Sequence, residues 1–232
     1  MYENRNDLGT YSATENTVTA GTTALLALTI VMVALASGLA AYVFARDTLQ
    51  QLQQQGYQYW MDTSFDSPFF VNFGFFGGSA WTNYQPGQSL SIAFATQPML
   101  RGILGFAGIA TGGIILLLSA RHLTGVSRKH PGLAFGLFFC LAGIQGAFEP
   151  PPDNININLT SHALDDGSTD VALGDVNGFG TYTHTGRHSH GTDLFVQHDG
   201  EDTTLARFSF SSDAVTVQSA LQNFVSSGGT QL

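Results

Sequence analysis

The feature that most constrains this chain is an apolar run without a single charge, from residue 19 to residue 45. At about 1.5 Å per residue a helix of this run is about 40 Å long, and the hydrocarbon core of a bilayer is about 30 Å thick. Two further apolar runs occupy residues 99–120 and 131–148, and charged residues make up only 11% of the chain. Soluble domains carry about 25%. The sequence therefore predicts a membrane protein with three transmembrane helices, preceded by a polar segment at residues 1–19.

Small residues recur at a spacing of four in the second and third runs. Gly108 is followed by Gly112, and Gly132 is followed by Gly136. This spacing lets two helix backbones approach closely in lipid, where small side chains are common at helix contacts. We expect these glycines to pack the chain's own helices against one another, and a helix of a partner protein is the alternative.

The stretch between the first two runs, residues 47–98, is predicted to be an aromatic loop of a membrane domain that covers residues 20–149. Its phenylalanine-rich part, from residue 66 onwards, is broken by proline and glycines. One interpretation is an interfacial or re-entrant segment packed on the helices, because phenylalanines exposed to water would form a costly patch. The other is a small exposed subdomain that docks a partner. Alternation of apolar residues over 89–95 favours a short strand there.

The acidic charge is concentrated in residues 150–232, which hold ten acidic residues against two basic ones, a net of −8 out of −9 for the whole chain. This polar part is predicted to be a separate domain, and its charge argues against nucleic-acid binding because phosphates would be repelled. Aspartate outnumbers glutamate thirteen to four, and Lys129 is the only lysine. Such a surface is typical of proteins that work in high salt, where self-repulsion is screened. We therefore expect a halophilic source.

Basic residues predict the orientation. Arg121, Arg128 and Lys129 crowd the short connection between the second and third runs, and basic loops favour the cytoplasmic side. The N-terminus is then inside and residues 150–232 are outside. The glycosylation sequon that begins at Asn158 is compatible with an exterior domain.

The acidic domain has the pattern of antiparallel strands followed by one helix. Apolar residues alternate in "NININL", and Asp199-Gly200 is a strong hairpin signal. Residues 213–226 carry an apolar stripe of helical period, with Ser212 or Asp213 as the expected N-terminal cap. We expect a small curved sheet or split barrel with this amphipathic helix at its open end.

Residues 155–226 resemble the PH-like domains that bacteria and archaea attach to membrane helices. The matching features are a strand leading into "ALGDVNGF", a strand–turn–strand in "DLFVQHDGEDTTLARFSF", and the helix "SSDAVTVQSALQNF". The resemblance implies a structural or recognition module without catalytic residues. Such domains usually face the cytoplasm, but the basic loop of this chain favours the exterior placement.

Four histidines fall within residues 183–200. If residues 184–190 form one strand, His184, His188 and His190 share a face. These three, completed by His198 or Asp193, would suit zinc or copper. The alternative, which we favour, is a solvated polar hairpin without metal, because glycines interrupt the run at positions 186 and 191.

No nucleophile motif, phosphate-binding loop or haem motif is present in the sequence. We therefore expect a non-catalytic structural or interaction protein without cofactor. Its expected partners are the lipid bilayer and other membrane, envelope or capsid proteins, in a homo- or hetero-oligomeric assembly such as a cell-envelope complex or a membrane-containing virion. The alternatives are a metal-binding accessory subunit of a membrane enzyme or transporter, and an oligomeric channel.

Overall fold

The structure is a computed structural model that describes residues 7–65, 76–122, 131–148, 153–167, 170–186 and 189–232. The described part contains four helices: α1 (Asp7–Gln54), α2 (Pro98–His122), α3 (Pro131–Phe148) and α4 (Ser211–Ser226). It also contains nine strands: β1 (Gln58–Phe65), β2 (Phe76–Gln85), β3 (Ser89–Thr96), β4 (Ile155–Asn158), β5 (Ala163–Asp165), β6 (Asp170–Ala172), β7 (Val176–Gly186), β8 (Ser189–His198) and β9 (Glu201–Phe208). The chain divides into two compact units, Met1–Ala40 with Gly102–Ala147, and Ala41–Arg101 with Phe148–Leu232.

The first unit is helical. Within the described residues, Gly21–Gln54 of α1 and Pro98–Ser119 of α2 are long and apolar enough to cross a membrane. A shorter apolar helix, Gly132–Phe148, belongs to α3. α1 continues well beyond the predicted run because good helix formers such as leucine and glutamine follow residue 46. The helix ends before Gly56, whose φ of +86° no ordinary helical residue adopts.

The second unit is built on one antiparallel sheet with the strand order β6-β5-β4-β3-β2-β1-β9-β8-β7. β3 pairs with β4 from Ser89 opposite Asn158 to Ile92 opposite Ile155. On the other side, β1 joins β9 where Phe65 lies opposite Phe208. Strands that precede α2 therefore share one sheet with strands that follow α3.

One face of this sheet and α4 enclose the core of the second unit. Phe94 of β3 and Phe208 of β9 are buried and pack edge to face, with 5.7 Å between ring centroids. The face of α4 that packs on the sheet buries Ala214, Val217, Ala220, Leu221 and Phe224. Fully burying a side chain such as leucine, valine or phenylalanine stabilises a fold by about 1.5–3 kcal/mol, so this cluster links strands from both sides of α2 and α3.

The observed division differs from the predicted one, which gave residues 47–98 to the membrane domain as an aromatic loop. In the structure, residues 58–65, 76–85 and 89–96 form strands of the second unit, which also contains the acidic residues 150–232 and is called the acidic unit below. The alternation of apolar residues in β3 was visible in the sequence. Its neighbour β2 contains two consecutive glycines and shows no clear alternation of apolar and polar residues. Pairing of β2 with β3 over eight residue pairs decides its conformation. Residues 66–75 lie outside the described part.

The predicted side-chain cap of the last helix is wrong. α4 begins at Ser211 after Phe210, and no side chain caps its N-terminus. The carboxylate of Asp213 instead accepts hydrogen bonds from the backbone N–H and the hydroxyl of Ser64, at 3.0 and 3.3 Å. Asp213 therefore connects α4 to β1, a tertiary partner that no local sequence pattern signals.

Candidate functional site

The contact between α2 and α3 is built on glycine. Gly108 and Gly143 approach so closely that a Cβ on Gly143 would lie 2.6 Å from the Cα of Gly108. One turn further along α2, a Cβ on Gly112 would lie 2.5 Å from the carbonyl oxygen of Gly136 and 2.6 Å from the amide of Cys140. These distances are far inside van der Waals contact, so only glycine fits at these positions.

The four glycines singled out in the sequence all lie at contacts between α2 and α3. Gly132 is packed against the hydroxyl of Ser119, and Gly136 faces Leu116, whose Cγ would be 2.7 Å from an added Cβ. The sequence reasoning missed Gly143, which faces Gly108. Its spacing of seven from Gly136 was the available signal, because seven residues are two helical turns.

α1 contacts α2 through small residues as well. An added Cβ on Gly38 would lie 2.7 Å from the carbonyl oxygen of Gly102, and one on Gly113 would lie 2.5 Å from Cγ2 of Ile30. The three helices of the first unit therefore pack on one another through their glycines. This is the arrangement expected when glycines four residues apart pack the helices of one chain against each other.

Large apolar side chains cover the outward surfaces of these helices. Leu25 of α1 is 65% exposed, Ile114 of α2 is 50% exposed, and Phe135 of α3 is 60% exposed. Similar residues follow along each helix: Leu26, Leu28, Val31, Met32, Val33, Leu35, Leu39, Ile103, Phe106, Leu118, Leu137, Phe138, Leu141 and Ile144. The first unit thus packs small residues inside and presents large apolar ones outside, the reverse of a water-soluble bundle.

A charged network lies on the three strands β7, β8 and β9 of the acidic unit. Asp193 of β8 accepts a hydrogen bond from Nε2 of His184 at 2.7 Å and a paired interaction from Arg207, whose Nη2 is 3.0 Å from Oδ2. The register places Asp193 directly opposite Arg207. The ring of Tyr182 packs edge to face on His184 at 4.8 Å. Together these contacts fix the orientation of the His184 ring and the Arg207 guanidinium around one carboxylate.

The surroundings of Asp193 hold it in the ionised form. Its side chain is largely buried, and burial acts to raise the pKa. The hydrogen bonds and charges of Arg207 and His184 act in the opposite direction, and the net result is a pKa below the ordinary value. The carboxylate is thus engaged by a guanidinium, which competes with any metal cation for the same oxygens.

The structure does not bring the predicted metal ligands together on one strand. β7 ends at Gly186 and β8 begins at Ser189, and the two strands pair antiparallel, so His184 and His190 lie on different strands. His184 is paired with Gly191, whereas His190 is paired with Thr185. The premise that residues 184–190 form one strand is therefore wrong. His188 lies outside the described residues.

His198 belongs to a different part of the sheet. It lies five positions beyond Asp193 on β8, about 17 Å along an extended strand. Its Nε2 is 2.8 Å from the hydroxyl of Thr203. Over the described ranges, the structure contains no group of three or more histidine, cysteine, aspartate or glutamate side chains that could hold a metal ion.

The last strand of the sheet, β7, has one edge that no strand within the described ranges covers. At Phe179 this edge is bonded to α4: the N–H of Phe179 donates to Oε1 of Gln222, and Nε2 of Gln218 donates to its carbonyl oxygen at 2.7 Å. The two glutamines are four residues apart and therefore lie on one face of the helix. Past this point the edge continues through the exposed Tyr182. Uncovered edges of this kind are where other strands can pair.

Comparison of the chain with protein-family models, with curated proteins and with solved structures found no match.

Proposed function

We propose that this chain is a non-catalytic integral membrane protein that holds an acidic β-rich unit at the membrane surface as a structural or interaction component of a larger assembly. The assembly is a cell-envelope complex or a membrane-containing virion, from a halophilic source. The observation that carries the proposal is the inverted surface of the helical unit, with glycines at the helix contacts and large apolar side chains outside. In water that surface would be a large hydrophobic patch, whereas lipid solvates it.

The pairing of β3 with β4 supports three spans rather than two. β3 ends at Thr96, just before α2, and β4 begins at Ile155, after α3. Because these strands hydrogen-bond to each other, they lie on the same side of a bilayer. If α2 crosses the bilayer, the chain must cross it again before β4, and α3 is the apolar helix between α2 and β4. With 18 residues α3 is about 27 Å long, close to the thickness of the hydrocarbon core.

The charges of the connections support an N-terminus inside and the sheet outside. Three of the chain's eight basic residues, Arg121, Arg128 and Lys129, fall at or within the connection between α2 and α3. The strongly acidic segment 150–232 is on the other side in this arrangement, where the positive-inside tendency does not act against it. The aspartate-rich composition supports a high-salt setting for that side.

We interpret residues 155–226 as a PH-like, split-barrel module that ends in a helix. α4 packs on β7, β8 and β9, and its apolar face joins a core that extends to β4 and β5. The three strands that precede α2 lie between β4 and β9 in the sheet, so they separate the strands of residues 155–226 into two groups. Such a module acts through its surface, and the part of the β7 edge beyond Phe179 offers one contact surface.

The function is tested by isolating the full-length protein from its native membrane in mild detergent. We expect it to resist alkaline carbonate extraction and to co-purify with a defined set of membrane, envelope or capsid proteins, identified by cross-linking and mass spectrometry. A closed ring of this chain alone that conducts ions in planar bilayers would contradict the proposal and favour a channel. Stoichiometric zinc or copper in protein purified without a histidine tag would favour the metal-binding subunit.

The orientation has its own test by cysteine labelling of intact cells or virions. In a Cys140→Ala background, Glu201→Cys places a thiol on an exposed hairpin turn of the acidic unit. Ser127→Cys places the matched thiol in the predicted inner connection. A membrane-impermeant maleimide should label the first variant directly and the second only after permeabilisation. The opposite pattern would overturn the exterior placement.

A further inference from the structure

The turn between β4 and β5 carries the only glycosylation sequon of the chain, Asn158-Leu159-Thr160. Asn158 ends β4 and its side chain is exposed, as is Thr160. Between them Leu159 packs against the core of the acidic unit. Both polar side chains of the motif are thus accessible, while the apolar residue between them anchors the turn.

The conformation of this turn determines which end of the asparagine amide is available. Oδ1 of Asn158 accepts hydrogen bonds from the backbone N–H groups of Thr160, at 2.9 Å, and of Ser161, at 3.0 Å. Because both partners are donors, the oxygen must face them. The described residues give Nδ2 no partner, so the nitrogen is the unbonded end of the carboxamide.

We propose that Asn158 is an N-glycosylation site. In the reaction Nδ2 forms a bond to the anomeric carbon of a lipid-phosphate-linked sugar and loses one proton to the transferase. The bond from that carbon to the phosphate breaks, and the phosphate leaves with the electron pair. Glycosylation of this motif is a modification of exterior surfaces, so the proposal rests on the exterior placement proposed above.

The surface beside Asn158 suits a sugar. A groove of about 460 Å³ runs along the outer side of β4, β5 and β6 and is lined by Asn156, Asn158, Ser161, Ala163, Asp165 and Asp170. The register places Asn156 opposite Asp165, and Asp165 opposite Asp170, so three polar side chains lie in one row across the strands. Carboxylates and amides accept hydrogen bonds from sugar hydroxyls, so the first sugar of the glycan has polar partners there.

The test is the intact mass of the full-length protein purified from its native membrane. We expect the wild type to carry one discrete mass increment that Thr160→Ala abolishes and Thr160→Ser retains. The alanine variant removes the hydroxyl that the motif requires but keeps the backbone N–H that bonds Asn158, so the turn is preserved. Asn158→Gln should also lose the increment completely.

Unfolding of Thr160→Ala, followed by tryptophan fluorescence, should match that of the wild type, which excludes misfolding as the cause of the loss. A wild-type mass equal to that of Thr160→Ala, apart from the side-chain difference, would overturn the proposal. If Glu201→Cys is labelled from outside and no increment is found, only the glycosylation fails. If it is labelled only after permeabilisation, the exterior placement fails and the glycosylation fails with it.

Discussion

Truncation of Phe94 tests whether strands from before α2 and after α3 form one folding unit. Phe94 of β3 is 2% exposed and packs edge to face on Phe208 of β9. Phe94→Ala should reduce the free energy of unfolding by about 3–5 kcal/mol, because a phenylalanine-sized space is left in the core. A loss of about 3 kcal/mol changes the unfolding equilibrium constant by roughly 100-fold. Phe208→Ala should cost a similar amount.

The double variant gives the sharper result, because residues in contact are not independent. An edge-to-face pair contributes about 0.5–1.5 kcal/mol beyond its buried area, so the double variant should be less destabilised than the sum of the single variants by about that amount. Denaturant titration in mild detergent can be followed by tryptophan fluorescence. The chain's two tryptophans, Trp60 and Trp81, lie on β1 and β2 of the same unit and report its unfolding.

Phe135→Ala is the matched control, since this phenylalanine of α3 is 60% exposed and belongs to the helical unit. It should leave the tryptophan transition unchanged. The reasoning is refuted if Phe94→Ala shifts that transition no more than the control does, or if the effects of Phe94→Ala and Phe208→Ala simply add. Either result would mean that β3 and β9 do not share a core.

Three further predictions follow from the helices, the charged network and the composition. Gly136→Leu should lower the free energy of unfolding of the helical unit by about 1–3 kcal/mol, because the added side chain meets Leu116. Gly21→Leu has open space around it and should leave the thermal transition followed by circular dichroism unchanged. Asp193→Asn should lower the free energy of unfolding by about 1.5–3 kcal/mol at neutral pH. Asp202→Asn, at an exposed position, is the control. The pKa of Asp193 is lower in the folded protein than its ordinary value of 3.8. The contribution of this carboxylate to the free energy of unfolding is therefore complete above pH 3.8 and is lost as the pH falls through the folded pKa. An unfolding series from pH 7 downwards in which Asp193→Asn has the same acid dependence as wild type would contradict this. The unfolding midpoint of the wild type should rise with salt concentration, and unchanged stability in low salt would speak against a halophilic source.

Much of the helical unit could be predicted from the sequence. The apolar runs mark α1, α2 and α3 because a span of lipid demands a minimum length of uncharged helix. The glycines at positions 108, 112, 132 and 136 were identified because close helix contacts in lipid depend on one local property, the absence of a side chain. Gly143 and Gly113 were missed, since an isolated glycine in a helix shows nothing about which helix it faces.

The acidic unit shows where sequence reasoning stops. The hairpin at Asp199-Gly200 and the apolar stripe of α4 are local patterns, and both are present in the structure. The recruitment of β1, β2 and β3 from the middle of the chain depends on pairing across long sequence separations. β2, with its consecutive glycines, acquires its strand conformation from β1 and β3 on either side.

The sequence by itself determined where the long apolar helices lie, where the charges lie, and which residues let helices approach, because length, charge and side-chain size act at each residue alone. Only the tertiary structure decided which strands share a sheet, that His184 and Arg207 both bind Asp193, and that Asp213 bonds Ser64 instead of capping its helix. Those outcomes depend on strand register and, for Asp213 and Ser64, on two residues 149 positions apart in the sequence, which no local pattern connects.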